Sequence, residues 1–183
     1  SAFAECVSLT SIVIPEGVTN IEYEAFIDCK SLKNITIPKS VTSLDGNVFD
    51  GTQWLDDQQD GPIYINNCFY KYKGEVPIDF HIDIKEGTTC ICDYAFYQCK
   101  NLKTITLPNS LEIVGYYAFL NCSSLNSVSI PNSVTQLCKG AFENCTSLTS
   151  VELPQKINRI EGEVFRNCSS LQSITIPNTV EEI

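Results

Sequence analysis

The chain has 183 residues, 43% of them hydrophobic and 19% charged, which is enough apolar material to bury a core and excludes a disordered tail. Its net charge of −10, from 22 acids against 12 lysines and arginines, excludes a nucleic-acid binder, which needs a basic face to displace counterions. No apolar run approaches the ~20 residues of a membrane span, and no basic start followed by an apolar stretch marks a signal peptide.

Along the chain, four residue types recur on one ruler. Proline stands at Pro15 and Pro38, then at Pro108, Pro131, Pro154 and Pro177, and every step within the two groups is 23. Phenylalanine keeps the same interval at Phe3, Phe26 and Phe49, and again at Phe96, Phe119, Phe142 and Phe165. Cysteine follows three residues behind, at Cys6, Cys29, Cys99, Cys122, Cys145 and Cys168, and leucine three further on, at Leu9, Leu32, Leu102, Leu125, Leu148 and Leu171. Each unit holds a strand signature such as Ile35-Thr36-Ile37, in which apolar and polar residues alternate. Pro38 lacks an N–H and ends that strand, and a second short extended piece follows at 41–44. A tight helical turn is predicted at Phe-x-x-Cys, where residues three apart share a face. One unit cannot bury its inward side chains alone, but stacked units make a continuous core.

The interval from Phe49 to Phe96 is 47 residues, two units plus one. Residues 51–81 therefore read as a degenerate coil, in which Thr52 replaces the cysteine and Leu55 keeps the leucine position. Two β-rich runs flank Asn66-Asn67, and asparagine tolerates the positive φ of a tight turn. An antiparallel hairpin is predicted at 63–73, pairing Ile65 with Cys68 and Tyr64 with Phe69. Strand register resumes at Ile82 and Ile84. Residues 45–93 also carry 10 of the 22 acids, the only tryptophan, Trp54, and the only histidine, His81.

The repeat resembles the BspA-like, Treponema-type leucine-rich repeat, most closely at 95–114, from Ala95-Phe96-Tyr97-Gln98-Cys99 through Leu107-Pro108 to Val114. The resemblance spans nearly the whole chain and weakens at about 51–81. It implies one leucine-rich-repeat solenoid over 1–183, a right-handed curved coil stack of about eight coils, mostly β with short helical turns, with a parallel sheet on its concave face. It also implies an extracellular or cell-surface protein of gut or oral bacteria or mucosal protozoa, linked to adhesion, with no catalytic motif, no cofactor and a protein partner. The chain is read as monomeric.

The predicted sheet presents mainly Ser, Thr and Asn outward, a polar face with few of the large anchors that dominate tight interfaces. Eight strands would give it a length of ~38 Å. Only the row Phe80, His81, Asp83 differs. That row, with Trp54, Tyr70 and Tyr72 of the interruption, is the candidate binding surface; the alternative is that these aromatics pack on the solenoid. Three functions follow: an adhesion or protein-interaction module, a spacer holding another domain off the cell, or weak carbohydrate binding. Catalysis has little support: a Cys–His dyad of His81 with Cys90 or Cys92 lacks an orienting group and an oxyanion hole. Asp56, Asp57 and Asp60 lack the alternation and distal Glu of a calcium loop, and no metal site is predicted.

The ladder cysteines Cys29, Cys99, Cys122, Cys145 and Cys168 are read as core rungs, like the phenylalanines Phe26, Phe49, Phe96, Phe119, Phe142 and Phe165. Of the off-pattern thiols, Cys92 and Cys138 lie two coils apart, beyond disulfide reach, and Cys68 with Cys90 or Cys92 is the one pair worth testing for a bridge. Asn-x-Ser/Thr motifs at Asn34, Asn121, Asn144 and Asn167 arise from the repeat itself. With no methionine at residue 1 and both ends inside repeats, the sequence reads as a segment of a longer protein.

Overall fold

A computed structural model describes residues 1–183. Most coils contribute two short strands, one on each of two ribbons. The first ribbon holds β1 (Ser11–Val13), β3 (Asn34–Thr36), β7 (Phe80–Asp83), β9 (Leu102–Thr106), β11 (Ser127–Ser129) and β13 (Ser150–Glu152). The second holds β2 (Asn20–Ile21), β4 (Ser43–Leu44), β6 (Cys68–Lys73), β8 (Cys90–Ile91), β10 (Ile113–Val114) and β12 (Gln136–Leu137). Between β4 and β6 lie a one-turn helix, α1 (Gln53–Asp56), and β5 (Gly61–Ile65). Pairing along each ribbon is parallel, and the sequence period sets the register: Ser11 faces Asn34, Ile113 faces Gln136 and Ser127 faces Ser150. The molecule is a β-solenoid with almost no helix. Six strands form on the first ribbon rather than eight, because α1 stands in the third coil and residues 172–175 join no ladder.

The inward positions build the rungs. Phe96, Phe119 and Phe142 are buried and stack at 5.0 and 4.9 Å between centroids, with ring planes within 8° of parallel. The stack runs on to half-buried Phe165 at 5.8 Å, and Phe3, Phe26 and Phe49 form a second column at 5.3 and 5.7 Å. Such contacts bury large apolar area and add aromatic stacking energy. The cysteines have a specific task. Each thiol of Cys29, Cys122, Cys145 and Cys168 donates to the carbonyl of the phenylalanine 26 residues earlier, at 3.0–3.3 Å. A small thiol therefore fills the rung and ties it to the coil before it. An asparagine ladder runs outside: Asn144 Nδ2 donates to Asn121 Oδ1 at 2.9 Å and Asn167 Nδ2 to Asn144 Oδ1 at 2.8 Å.

The helical turn predicted at Phe-x-x-Cys exists only as a single bonded turn, such as Cys122 N–H to the Phe119 carbonyl at 3.1 Å. Left-handed residues within it stop propagation. Asp28, Gln98, Asn121, Asn144 and Asn167, each two after the phenylalanine, have φ between 55° and 65°. A right-handed helix cannot pass through them.

In the interruption, β5 and β6 form the antiparallel hairpin, with Tyr64 opposite Phe69 and Ile65 opposite Cys68. Asn66 takes φ of 52°, and its side-chain amide donates to the Pro38 and Val41 carbonyls at 2.9 and 3.0 Å, pinning the turn to the preceding coil. Thr52 caps α1 by accepting the Leu55 N–H, and the Lys73 ammonium donates to the Asp56 and Gln58 carbonyls at its other end. The core has two parts that meet here. Phe69 stacks on Phe96 at 4.5 Å, whereas its neighbour Tyr70 packs edge-on against Phe49 at 5.8 Å. Successive residues of β6 thus serve opposite columns. Tyr70 is fully buried, and its hydroxyl accepts the Phe49 N–H at 3.0 Å. This corrects the sequence-based assignment of Tyr70 to a binding surface: its hydroxyl satisfies the backbone of the ladder instead of facing a ligand.

The second ribbon bends inward at the same place. Six strands in a straight stack would set β2 and β12 ~24 Å apart. Yet Asn20, Ser43 and Asp45 line one cavity of about 220 Å³ together with Cys90, Ile113 and Gln136. Gly46 sits so close to the coil opposite that a Cβ there would lie 1.4 Å from the Asp93 carbonyl oxygen.

Candidate functional site and family

The exposed row at β7 is built by alternation. Ile82 points into the core, so His81 and Asp83 face out. His81 bridges two neighbours: its Nδ1 lies 2.7 Å from the Thr104 hydroxyl on β9, and its Nε2 lies 3.0 Å from Asp83 Oδ1. The Thr106 hydroxyl, followed by His81, holds the Asp83 carboxyl below its ordinary range. Beside this row the Lys103 ammonium pairs with Asp79 at 2.8 Å. Phe80 is half-buried, because its ring packs edge-on against Tyr72 at 5.3 Å. The row is thus a fixed polar pair flanked by a partly open aromatic pair.

The sequence candidates therefore divide. Phe80, His81, Asp83 and Tyr72 come together. Trp54 sits on α1, half-buried against Phe49 at 5.0 Å, on the other aromatic column. Tyr70 is internal. The imagined dyad of His81 with Cys90 or Cys92 does not form, since His81 is exposed on the first ribbon while both thiols are buried on the second.

A different cluster appears where the ribbon bends. The sulfur atoms of Cys68, Cys90 and Cys92 all lie within 4.8 Å of one another. Sequence reasoning considered these residues in pairs only. The available signal was Cys-x-Cys, which places two thiols on one face of an extended segment, with Cys68 as the cross-strand partner of Cys90. Hydrogen bonds from the Cys90 and Cys92 thiols hold the Cys68 thiol below its ordinary range, and the same contacts with burial push the thiols of Cys90 and Cys92 up. Nearby, burial and the neighbouring Asp45 raise the Asp93 carboxyl to about 8.

The pattern described as the BspA type leucine-rich repeat region matches this chain in six copies over residues 1–60 and 62–183. The chain belongs to the BspA-type leucine-rich repeat family. Solved structures share the architecture. A leucine-rich repeat protein of Eubacterium ventriosum is 27% identical with a TM-score of 0.54, over 96% of this chain and 41% of that one. The leucine-rich repeat protein of Treponema pallidum is 29% identical with a TM-score of 0.50, over 88% and 67%. A leucine-rich cell surface protein of Faecalibacterium prausnitzii, 23% identical with a TM-score of 0.52 over 93% and 60%, shares the fold. This chain thus spans less than two thirds of the length of the first and last of these. No curated protein matches its sequence. BspA-type repeats are in general non-catalytic scaffolds, and membership supports a repeat module for protein interaction. No helix is long and apolar enough to cross a membrane.

Proposed function

We propose that this BspA-type solenoid is a cell-surface adhesion module, which binds a protein on another cell through the exposed face of the first ribbon, centred on Phe80, His81 and Asp83, with Tyr72 of β6 packed beside Phe80. The observation that carries this reading is the contrast along the ribbon. Ser, Thr and Asn dominate the exposed positions, whereas the β7 row offers a half-open aromatic pair beside a preset histidine–carboxylate pair. Aromatic groups held by their own packing lose little freedom on binding, which is the property of an interface anchor.

The test is binding of the fluorescently labelled chain to intact epithelial cells. Binding should disappear after protease treatment of the cells and survive glycosidase treatment; the reverse would favour carbohydrate. Combined Phe80→Ala, His81→Ala and Asp83→Asn should weaken binding at least tenfold while the far-UV circular dichroism is unchanged. Equal binding by the variant would show that the β7 row is not the contact, and no binding by the unmodified chain would support the spacer reading instead.

A further inference from the structure

We propose that Cys68, Cys90 and Cys92 form a trithiolate site for a thiophilic divalent cation, Zn(II), at the bend of the second ribbon. The argument rests on placement. Cys90 and Cys92 alternate along one extended segment and so share a face, and Cys68 is paired with Cys90 across β6 and β8. A same-face pair and a cross-strand neighbour make a triangle, and all three sulfur atoms fall within 4.8 Å of one another. Zn–S bonds of about 2.3 Å in a tetrahedral centre require sulfurs about 3.8 Å apart, so closing the triangle needs movements of about 1 Å or less.

These thiols are not rungs of the cysteine ladder. The ladder thiols of Cys29, Cys122, Cys145 and Cys168 donate to a phenylalanine carbonyl of the preceding coil, whereas the Cys68 thiol donates to the Thr42 carbonyl at 3.3 Å. The repeat positions of Cys90 and Cys92 are filled in other coils by Asn20 and Glu22, Ser43 and Asp45, Ile113 and Gly115, Gln136 and Cys138, and Arg159 and Glu161, so polar residues predominate there. At the bend these outer positions turn inward. Cys68, Cys90 and Cys92 are only 0%, 6% and 1% exposed. Three buried sulfurs in contact, on a face that is elsewhere polar, form a soft donor set without an imidazole, and thiolates select Zn(II) or Cu(I). Zn(II) leaves one net negative charge with three thiolates and Cu(I) leaves two, so burial favours Zn(II). The cavity that Cys90 shares with Asp45 and Asp93 gives a cation its path in and leaves room for a fourth, exogenous ligand. Binding needs no oxidant: whatever protons the three sulfurs still hold pass to solvent as three S–Zn bonds form.

The experiment uses the whole chain, reduced, chelator-stripped and kept anaerobic. Co(II) serves as the probe, because thiolate ligation gives an intense near-ultraviolet charge-transfer band. The expected result is one equivalent of Co(II) with that band, displaced by one equivalent of Zn(II). Cys68→Ser, Cys90→Ser and Cys92→Ser should each weaken Co(II) binding at least tenfold, while Cys138→Ser leaves it unchanged. Should a variant not fold, the wild-type chain still decides the matter. Bound Zn(II) should then slow alkylation of Cys68, Cys90 and Cys92, read by mass spectrometry, and leave that of exposed Cys6 unaltered. Absence of both the band and the protection would overturn the proposal, as would a disulfide between Cys68 and Cys90 or Cys92 in freshly isolated protein.

Discussion

Phe119 shows what one repeated position does. It lies fully buried between two rings at 5.0 and 4.9 Å, so removing it leaves a void that the stacked coils cannot close. Phe119→Ala should cost ~3–5 kcal/mol in denaturant unfolding; a loss under ~1 kcal/mol would mean the ring is not core. Gly46 is constrained by close approach: alanine there would drive a Cβ into the Asp93 carbonyl and should cost about 3 kcal/mol, the upper end for overpacking. The ladder thiols make alkaline pH the sensitive condition. Burial pushes Cys99 up to about 12 and Cys168 to about 11, from an ordinary value of 9.0. Their contribution to stability is complete below pH 9 and declines above it, as the unfolded chain ionises first. It is gone once the pH passes the folded values. Urea midpoints should fall above pH 9, and less steeply in a Cys99→Val, Cys168→Val chain; equal slopes would show that the thiols do not contribute.

At the scale of elements, the hairpin is the informative case. Its position and both named pairs were legible in the sequence, because the two β-rich runs and Asn66 fix the turn locally. The direction of each side chain was not. Consecutive residues of a strand face opposite ways, and which way is inward depends on how the hairpin meets the coils on either side. Tyr70 therefore looked like a surface aromatic and proved to be the partner of Phe49. Tyr70→Phe should destabilise by about 1–3 kcal/mol, since it leaves the buried Phe49 N–H unpaired. A change within ~0.5 kcal/mol would indicate that water reaches that amide. The predicted helical turns were shortened for a related reason: left-handed residues such as Gln98 are set by the stacking of coils, which the local pattern does not reveal. The row at β7 was readable because strict alternation around Ile82 dictates it. The thiol cluster escaped because it needs the bend, a property of packing between coils.

For the whole molecule, the 23-residue period makes each coil the support of the next, and the interruption decides whether there is one stack or two. Phe69 continues the C-terminal column and Tyr70 the N-terminal one, while the Cys92 N–H bonds the Phe69 carbonyl at 3.0 Å and the Tyr72 N–H bonds the Ala95 carbonyl at 2.9 Å. The irregular coil thereby splices the two columns and holds the β7 row against a firm base. Native-state hydrogen exchange tests this most directly, since protection reports local opening. Peptides covering 68–73 and 90–96 should exchange as slowly as those covering 102–106 and 113–119. Exchange of 68–73 at the rate of an exposed loop, with the coils on both sides still protected, would contradict a continuous stack.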